Sequence, residues 1–159
     1  VIVSLYVYSY QQSISFFRLA DSICAAMPIG LGLVRIGNFI NGELYGRTTD
    51  GTWGFVFPTD PYGFTRHPSQ LYEAFLEGLI LFIVLMVIGA KNKKPGVISG
   101  SFLIGYGLIR FFIEYFRQPD AHMGFIALQL SMGQLLSIPM VIIGLILLLK
   151  SLKKNEAIS

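Results

Sequence analysis

The run RIGNFINGELYGR, Arg35 to Arg47, holds two arginines, two asparagines, a glutamate and three glycines within thirteen residues. A guanidinium stays protonated in any protein environment and meets a phosphate with two parallel N–H donors. Asn38 and Asn41 add amides that both donate and accept hydrogen bonds. Gly37, Gly42 and Gly46 let the backbone turn sharply or come close to a ligand. A second set follows at helical spacing: Tyr106, Arg110, Glu114 and Arg117 stand three or four residues apart and so share one helix face. Arg35 and Arg110 both sit inside apolar stretches, where a charge costs roughly 3 kcal/mol on insertion scales and usually marks function. Arginines gathered in this way point to an anionic lipid headgroup. They also fit an inert ion-pair ladder, with Glu43, Glu73, Glu77, Glu114 and Asp120 as partners. Composition alone leaves both readings open and names no reaction.

The elements that must carry these residues read as membrane spans. Only 13% of the 159 residues are charged, against about 25% in soluble domains, so much of the surface faces something other than water. Four apolar stretches, Phe16 to about Gly37, Gln70–Ile88, Val97–Phe116 and Leu130–Leu149, each approach the roughly 20 residues that cross a bilayer as a helix. The first of these is interrupted by Pro28 and several glycines. VIVSLYVYSY, at the start, is too short to span and reads as the tail of a helix whose beginning is missing. All six lysines fall in two clusters, at 91–94 and 150–154, with two spans between them, so both clusters lie on one side. The positive-inside rule makes that side cytoplasmic, along with the Arg18 turn and the C-terminus. Loops 38–69 and 117–130 then become periplasmic.

Five of the six arginines, Arg35, Arg47, Arg66, Arg110 and Arg117, gather on or near that periplasmic side. The expected architecture is therefore an all-α integral membrane protein, a polytopic helix bundle of four complete spans plus a truncated first helix. It forms a single transmembrane domain over 1–159, with 1–15 as truncated helix and cytoplasmic turn, and a small periplasmic head over 38–69. Residues 47–69 carry too many Gly, Pro and Asp for a helix and suit short strands, with Trp53, Phe55, Val56 and Phe57 either guiding a peptide or lying in the membrane interface. The one cysteine, Cys24, excludes an internal disulfide and reads as a small buried hydrophobe. No metal-ligand spacing appears.

The 35–47 run resembles the signature of the prolipoprotein diacylglyceryl transferases, G-R-x-G-N-F-x-N-x-E-x-x-G. It matches at Arg35, Gly37, Asn38, Phe39, Asn41, Glu43 and Gly46, and departs at the leading glycine, where Val34 stands. Three more blocks resemble the family in order: RHPSQLYEAFLEG from Arg66, GYGLIRFFIEYFRQPD from Gly105, and SMGQLLSIPM from Ser131. The family's His-Gly-Gly-Leu motif, one helix before the signature, does not occur in these residues; it would fall just before Val1.

The resemblance implies transfer of the diacylglyceryl group of phosphatidylglycerol to the lipobox cysteine of a preprolipoprotein, in the bacterial inner membrane. Glycerol 1-phosphate leaves, no cofactor or metal takes part, and the partners are the phospholipid and the preprolipoprotein signal peptide, with no nucleic acid. It places Arg35 and Arg110 on the phosphate, Asn38, Asn41 and Gly46 around the phospholipid, and Tyr106 beside the reacting headgroup. Glu43, paired with an arginine, and the Glu114–Arg117 pair become a gate that holds Arg110. A non-catalytic phospholipid-binding or transport protein is the competing class, since broken helices also mark transporter sites. No inverted repeat supports it.

Overall fold

The computed structural model describes residues 2–118 and 131–153. Among them, helix α1 covers Ile2–Gln11 and α2 covers Phe16–Ile40. Two short strands, β1 at Phe55–Val56 and β2 at Thr65–Arg66, pair antiparallel, with Phe55 opposite Arg66. Helices α3 (Ser69–Lys91), α4 (Val97–Ile113) and α5 (Met132–Lys153) complete the bundle.

Three of these, α2, α3 and α5, are long and apolar enough to cross a membrane. The expected span ending at Phe116 is shorter than read. Helix α4 stops at Ile113 after 17 residues, because the chain turns through 114–116 and Arg117 bridges to Gly46. The expected interruption of α2 is also absent, since the helix runs unbroken through Pro28. Neighbouring helices commonly sustain a proline inside a membrane helix. The glycines of α2 serve packing instead. A Cβ on Gly78 of α3 would lie 2.8 Å from the Gly32 Cα, so the two backbones cross almost in contact. Small residues permit the same approach between α4 and α5, where a Cβ at Gly100 would meet the Gly144 carbonyl at 3.0 Å. Such crossings are how helices associate where lipid supplies no hydrophobic drive.

Leu81, Leu85 and Phe102 form the buried apolar centre, with half-buried Cys24, Leu31 and Tyr106 packed against it. Large apolar side chains such as Leu33, Val34, Ile83 and Ile143 point outward, which suits surroundings of lipid rather than water. The two lysine clusters do meet at one end of the bundle, where Lys94 Nζ donates to the Leu152 carbonyl at 3.2 Å. At that end Asp21 of α2 accepts from the Gly96 and Ser99 N–H groups, at 2.7 and 2.8 Å, and from the Ser99 hydroxyl. It thereby caps α4 from a neighbouring helix. The 117–130 loop lies outside the described residues beyond Gln118, as do Asp120, His122 and Lys154.

Candidate functional site

Three half-buried arginines, Arg35, Arg110 and Arg117, reach one acidic side chain. Glu73 comes from the first turns of α3 and is 1% exposed. Arg35, from the last turns of α2, brings Nε to 2.7 Å of Glu73 Oε2. Arg110, from the end of α4, donates through Nη1 to Glu73 Oε1 at 3.0 Å and places Nη2 3.3 Å from Glu114 Oε2. Arg117 sets Nη1 3.6 Å from Glu73 Oε1. Arginines 37 to 44 residues from Glu73 in the chain are thus drawn to one carboxylate. The Arg35 contact is an ion pair without hydrogen-bond alignment, since Glu73 Oε2 has no hydrogen-bond partner.

Local structure explains how α3 delivers this. From Ala74 to Ile80 the helix widens into π-helical turns, a feature concentrated at functional sites. Glu73 stands at its start and Glu77 inside it. Gln70, Glu73 and Glu77 are all buried, and Gln70 Oε1 and both Glu77 carboxyl oxygens lack a hydrogen-bond partner. A buried acceptor without a donor costs about 1–3 kcal/mol and asks for a reason. Glu73, Arg110, Arg35 and Arg117 are the charges that act on Glu77, and Tyr106 feels the same group. Tyr106 stacks on Phe102, with centroids 5.7 Å apart.

The five arginines expected together divide into two groups. Arg66 is consumed in the 41–68 segment: Asp60 accepts from its Nε and Nη2 at 2.7 and 3.0 Å, and Gln118 accepts from Nη1 at 2.6 Å. The Tyr45 ring covers it at 4.8 Å. The guanidinium beside Asp60 holds that carboxyl below its usual range, and Asp60 in turn raises Arg66. Arg47 donates Nε to the Arg117 carbonyl at 2.9 Å, tying the segment to the end of α4. Arg66 is thus held by side chains and Arg47 by backbone, while Arg35, Arg110 and Arg117 share Glu73.

The remaining motif residues are spread around this group. Asn38 is half-buried and its carbonyl accepts from Glu43 N–H at 2.8 Å, whereas Asn41 is exposed. Glu43 is exposed and makes no ion pair among the described residues, unlike the pairing expected for it; its carbonyl accepts from Gln70 at 2.6 Å. Gly46 is enclosed by backbone. Its N–H donates to the His67 carbonyl at 2.9 Å, and a Cβ there would collide with the Phe116 carbonyl and lie 2.8 Å from that of His67. Backbone carbonyls therefore leave no room for a side chain there. Glu73 and Glu77 were legible only as possible ladder partners. Two acids one turn apart in an otherwise apolar span were the available signal. No group of three or more metal-ligating side chains occurs among the described residues.

A mostly helical protein with membrane-length helices and a buried arginine–glutamate cluster near one end is the class that fold and site define. The sequence model of the prolipoprotein diacylglyceryl transferase family matches residues 1–150, and the chain belongs to that family. It is 52% identical over 153 residues to the phosphatidylglycerol–prolipoprotein diacylglyceryl transferase of Photobacterium profundum, covering 96% of this chain and 57% of that protein. It is 53% identical over 145 residues to the protein of the same name from Geobacter sulfurreducens, covering 91% and 55%. The Chlorobaculum tepidum protein of that name is 47% identical over 156 residues, covering 98% and 54%. The chain spans about half the length of the curated relatives it matches.

Proposed function

We propose that this chain carries the phosphate-binding half of a transferase site. That site moves the diacylglyceryl group of phosphatidylglycerol onto the lipobox cysteine thiol of a preprolipoprotein. The convergence of Arg35, Arg110 and Arg117 on one buried carboxylate carries the reading, together with relatives whose names state both substrates. Arg35 and Arg110 hold the phosphodiester of the lipid, and Asn38 hydrogen-bonds the headgroup. Tyr106 orients it, and Glu114 and Arg117 keep Arg110 in place. Asn41 belongs to the loop beneath the headgroup.

The thiolate sulfur forms a C–S bond to the terminal glyceryl carbon of the diacylglyceryl group as the C–O bond to phosphate breaks. The phosphate keeps the electron pair and departs as glycerol 1-phosphate, a monoester, while the thiol proton passes to a base. Charge grows on the phosphate as that bond breaks. Fixed guanidiniums at low dielectric stabilise this charge without reorganising, which is the largest single source of rate in comparable sites. The reaction itself consumes no metal or cofactor. The site opens toward the periplasmic face of the inner membrane, with the lysine-rich end and the C-terminus in the cytoplasm.

The test is a transfer assay in detergent micelles with phosphatidylglycerol and a lipobox peptide. It is run on this chain and on the chain joined to the N-terminal half of the Photobacterium profundum relative. A peptide mass gain of one diacylglyceryl group with either protein supports the reading. No gain with either, alongside an active full-length relative, would leave a lipid-binding protein instead.

A further inference from the structure

We infer that Glu73 is the positioning residue of the headgroup site: its carboxylate sets three guanidiniums side by side so that one phosphate can close on them. The inference rests on the phospholipid reading above and adds to it a residue outside the signature run. Side-chain exposure shows the layering. Glu73 is 1% exposed, while Arg35 and Arg110 are 14% and 15% exposed. An anion that enters therefore meets the guanidiniums first, with the carboxylate behind them. Arg35 approaches Glu73 with its Nε at 2.7 Å. Each guanidinium carries five N–H donors, so contact with one carboxylate does not exhaust it.

Three like charges held this close repel one another at the low effective dielectric of a buried site. A carboxylate contacting all three removes the repulsion from one side. A phosphate can do so from the other. Three arginines reach Glu73, two of them from inside apolar helices, and Arg110 also meets Glu114. Glu77, 0% exposed and acted on by the same three arginines, adds a second carboxyl to the backing layer.

If Glu73 and a bound phosphate do the same electrostatic work on the arginines, phospholipid must offset the loss of Glu73. The near-isosteric variant Glu73→Gln is compared with wild type by thermal unfolding in micelles doped with phosphatidylglycerol or with phosphatidylcholine. Removing one partner of a buried pair is strongly destabilising, so the variant unfolds about 10 °C lower in phosphatidylcholine. At least half of that loss returns in phosphatidylglycerol. An equal loss in both lipids, or no loss in either, overturns the inference, because a purely structural ion pair does not respond to the headgroup.

If Glu73→Gln yields no folded protein, the double variant Glu73→Gln/Arg117→Gln removes the carboxylate together with one cation. It is expected to fold in phosphatidylcholine. A double variant that recovers no better than the single one contradicts the role. Lipid rescue without any transfer activity in the chain joined to the relative's N-terminal half would refute the proposed reaction and leave the placement of Glu73 standing.

Discussion

Two buried carboxylates on neighbouring helices meet opposite fates. Asp21, near the start of α2, faces two backbone N–H groups and a hydroxyl at the beginning of α4, all within 2.8 Å. Those donors are the unsatisfied ones every helix start presents, and the partial positive charge there favours an anion. The arrangement is complete within the protein. Arg35, fourteen residues further along α2 and so about 20 Å away, lies beside Glu73. There one carboxylate is shared by three guanidiniums, one of which also meets Glu114. A buried charge answered in full by fixed backbone dipoles holds helices together. One shared among several guanidiniums, carried at a cost inside apolar helices, is on the proposed reading the place where an anion enters.

The contrast breaks most visibly at Arg110. Arg110→Ala is expected to lower diacylglyceryl transfer at least about a hundredfold, as loss of one preorganised charge stabiliser does elsewhere. Lys91→Ala, at the last residue of α3 on the opposite end, leaves the rate unchanged. Equal rates in both variants would put the reaction outside the arginine cluster. Asp21→Ala carries the opposite signature. It leaves two N–H groups and a hydroxyl buried without their acceptor, and costs about 3 kcal/mol of stability. Thermal unfolding in micelles is expected to show that loss, while the transfer rate per folded molecule stays near wild type.

A smaller loss is expected where backbone fills the space. Gly46→Ala forces a methyl against the Phe116 and His67 carbonyls and costs about 1–3 kcal/mol, the usual range for overpacking. Unfolding would also show whether activity falls only in step with stability, as it must if Gly46 packs and does not bind. The smallest effect belongs to Asp60. Its carboxyl is held below the ordinary aspartate range by Arg66, so the unfolded chain binds the proton more readily. The stabilisation is present above the ordinary aspartate pKa and fades as pH falls through the lowered one. Asp60→Asn is therefore expected to be less stable than wild type at neutral pH. The difference should close in acid, and a gap independent of pH would refute the linkage.

Much of this was legible from residue order. Runs of some twenty apolar residues announced α2, α3 and α5, because length and composition alone decide whether a helix can cross a bilayer. Arg35 and Arg110 stood out because a charge in such a run has few innocent explanations. What stayed hidden depended on partners far apart in sequence. Nothing around Arg66 told that Asp60, Gln118 and Tyr45 would occupy it. Glu43 seemed the natural counterion within the signature run, yet the loop turns it outward and Glu73 takes that place. The widening of α3 at Ala74–Ile80 also has no local sequence mark, since it arises where Gly78 crosses Gly32. Helix α4 ends early because the bridge from Arg117 to Gly46 draws the chain sideways, a long-range contact that apolar periodicity does not report.

Headgroup binding itself is the most direct test of the difference between the two carboxylate sites. The 31P resonance of phosphatidylglycerol in mixed micelles would be recorded with wild type, Arg110→Ala and Asp21→Asn. Wild type and Asp21→Asn are expected to broaden and shift it alike, and Arg110→Ala to leave it close to its protein-free position. If Arg110→Ala perturbs the resonance as strongly as wild type, the arginine cluster does not hold the phosphate and the account fails.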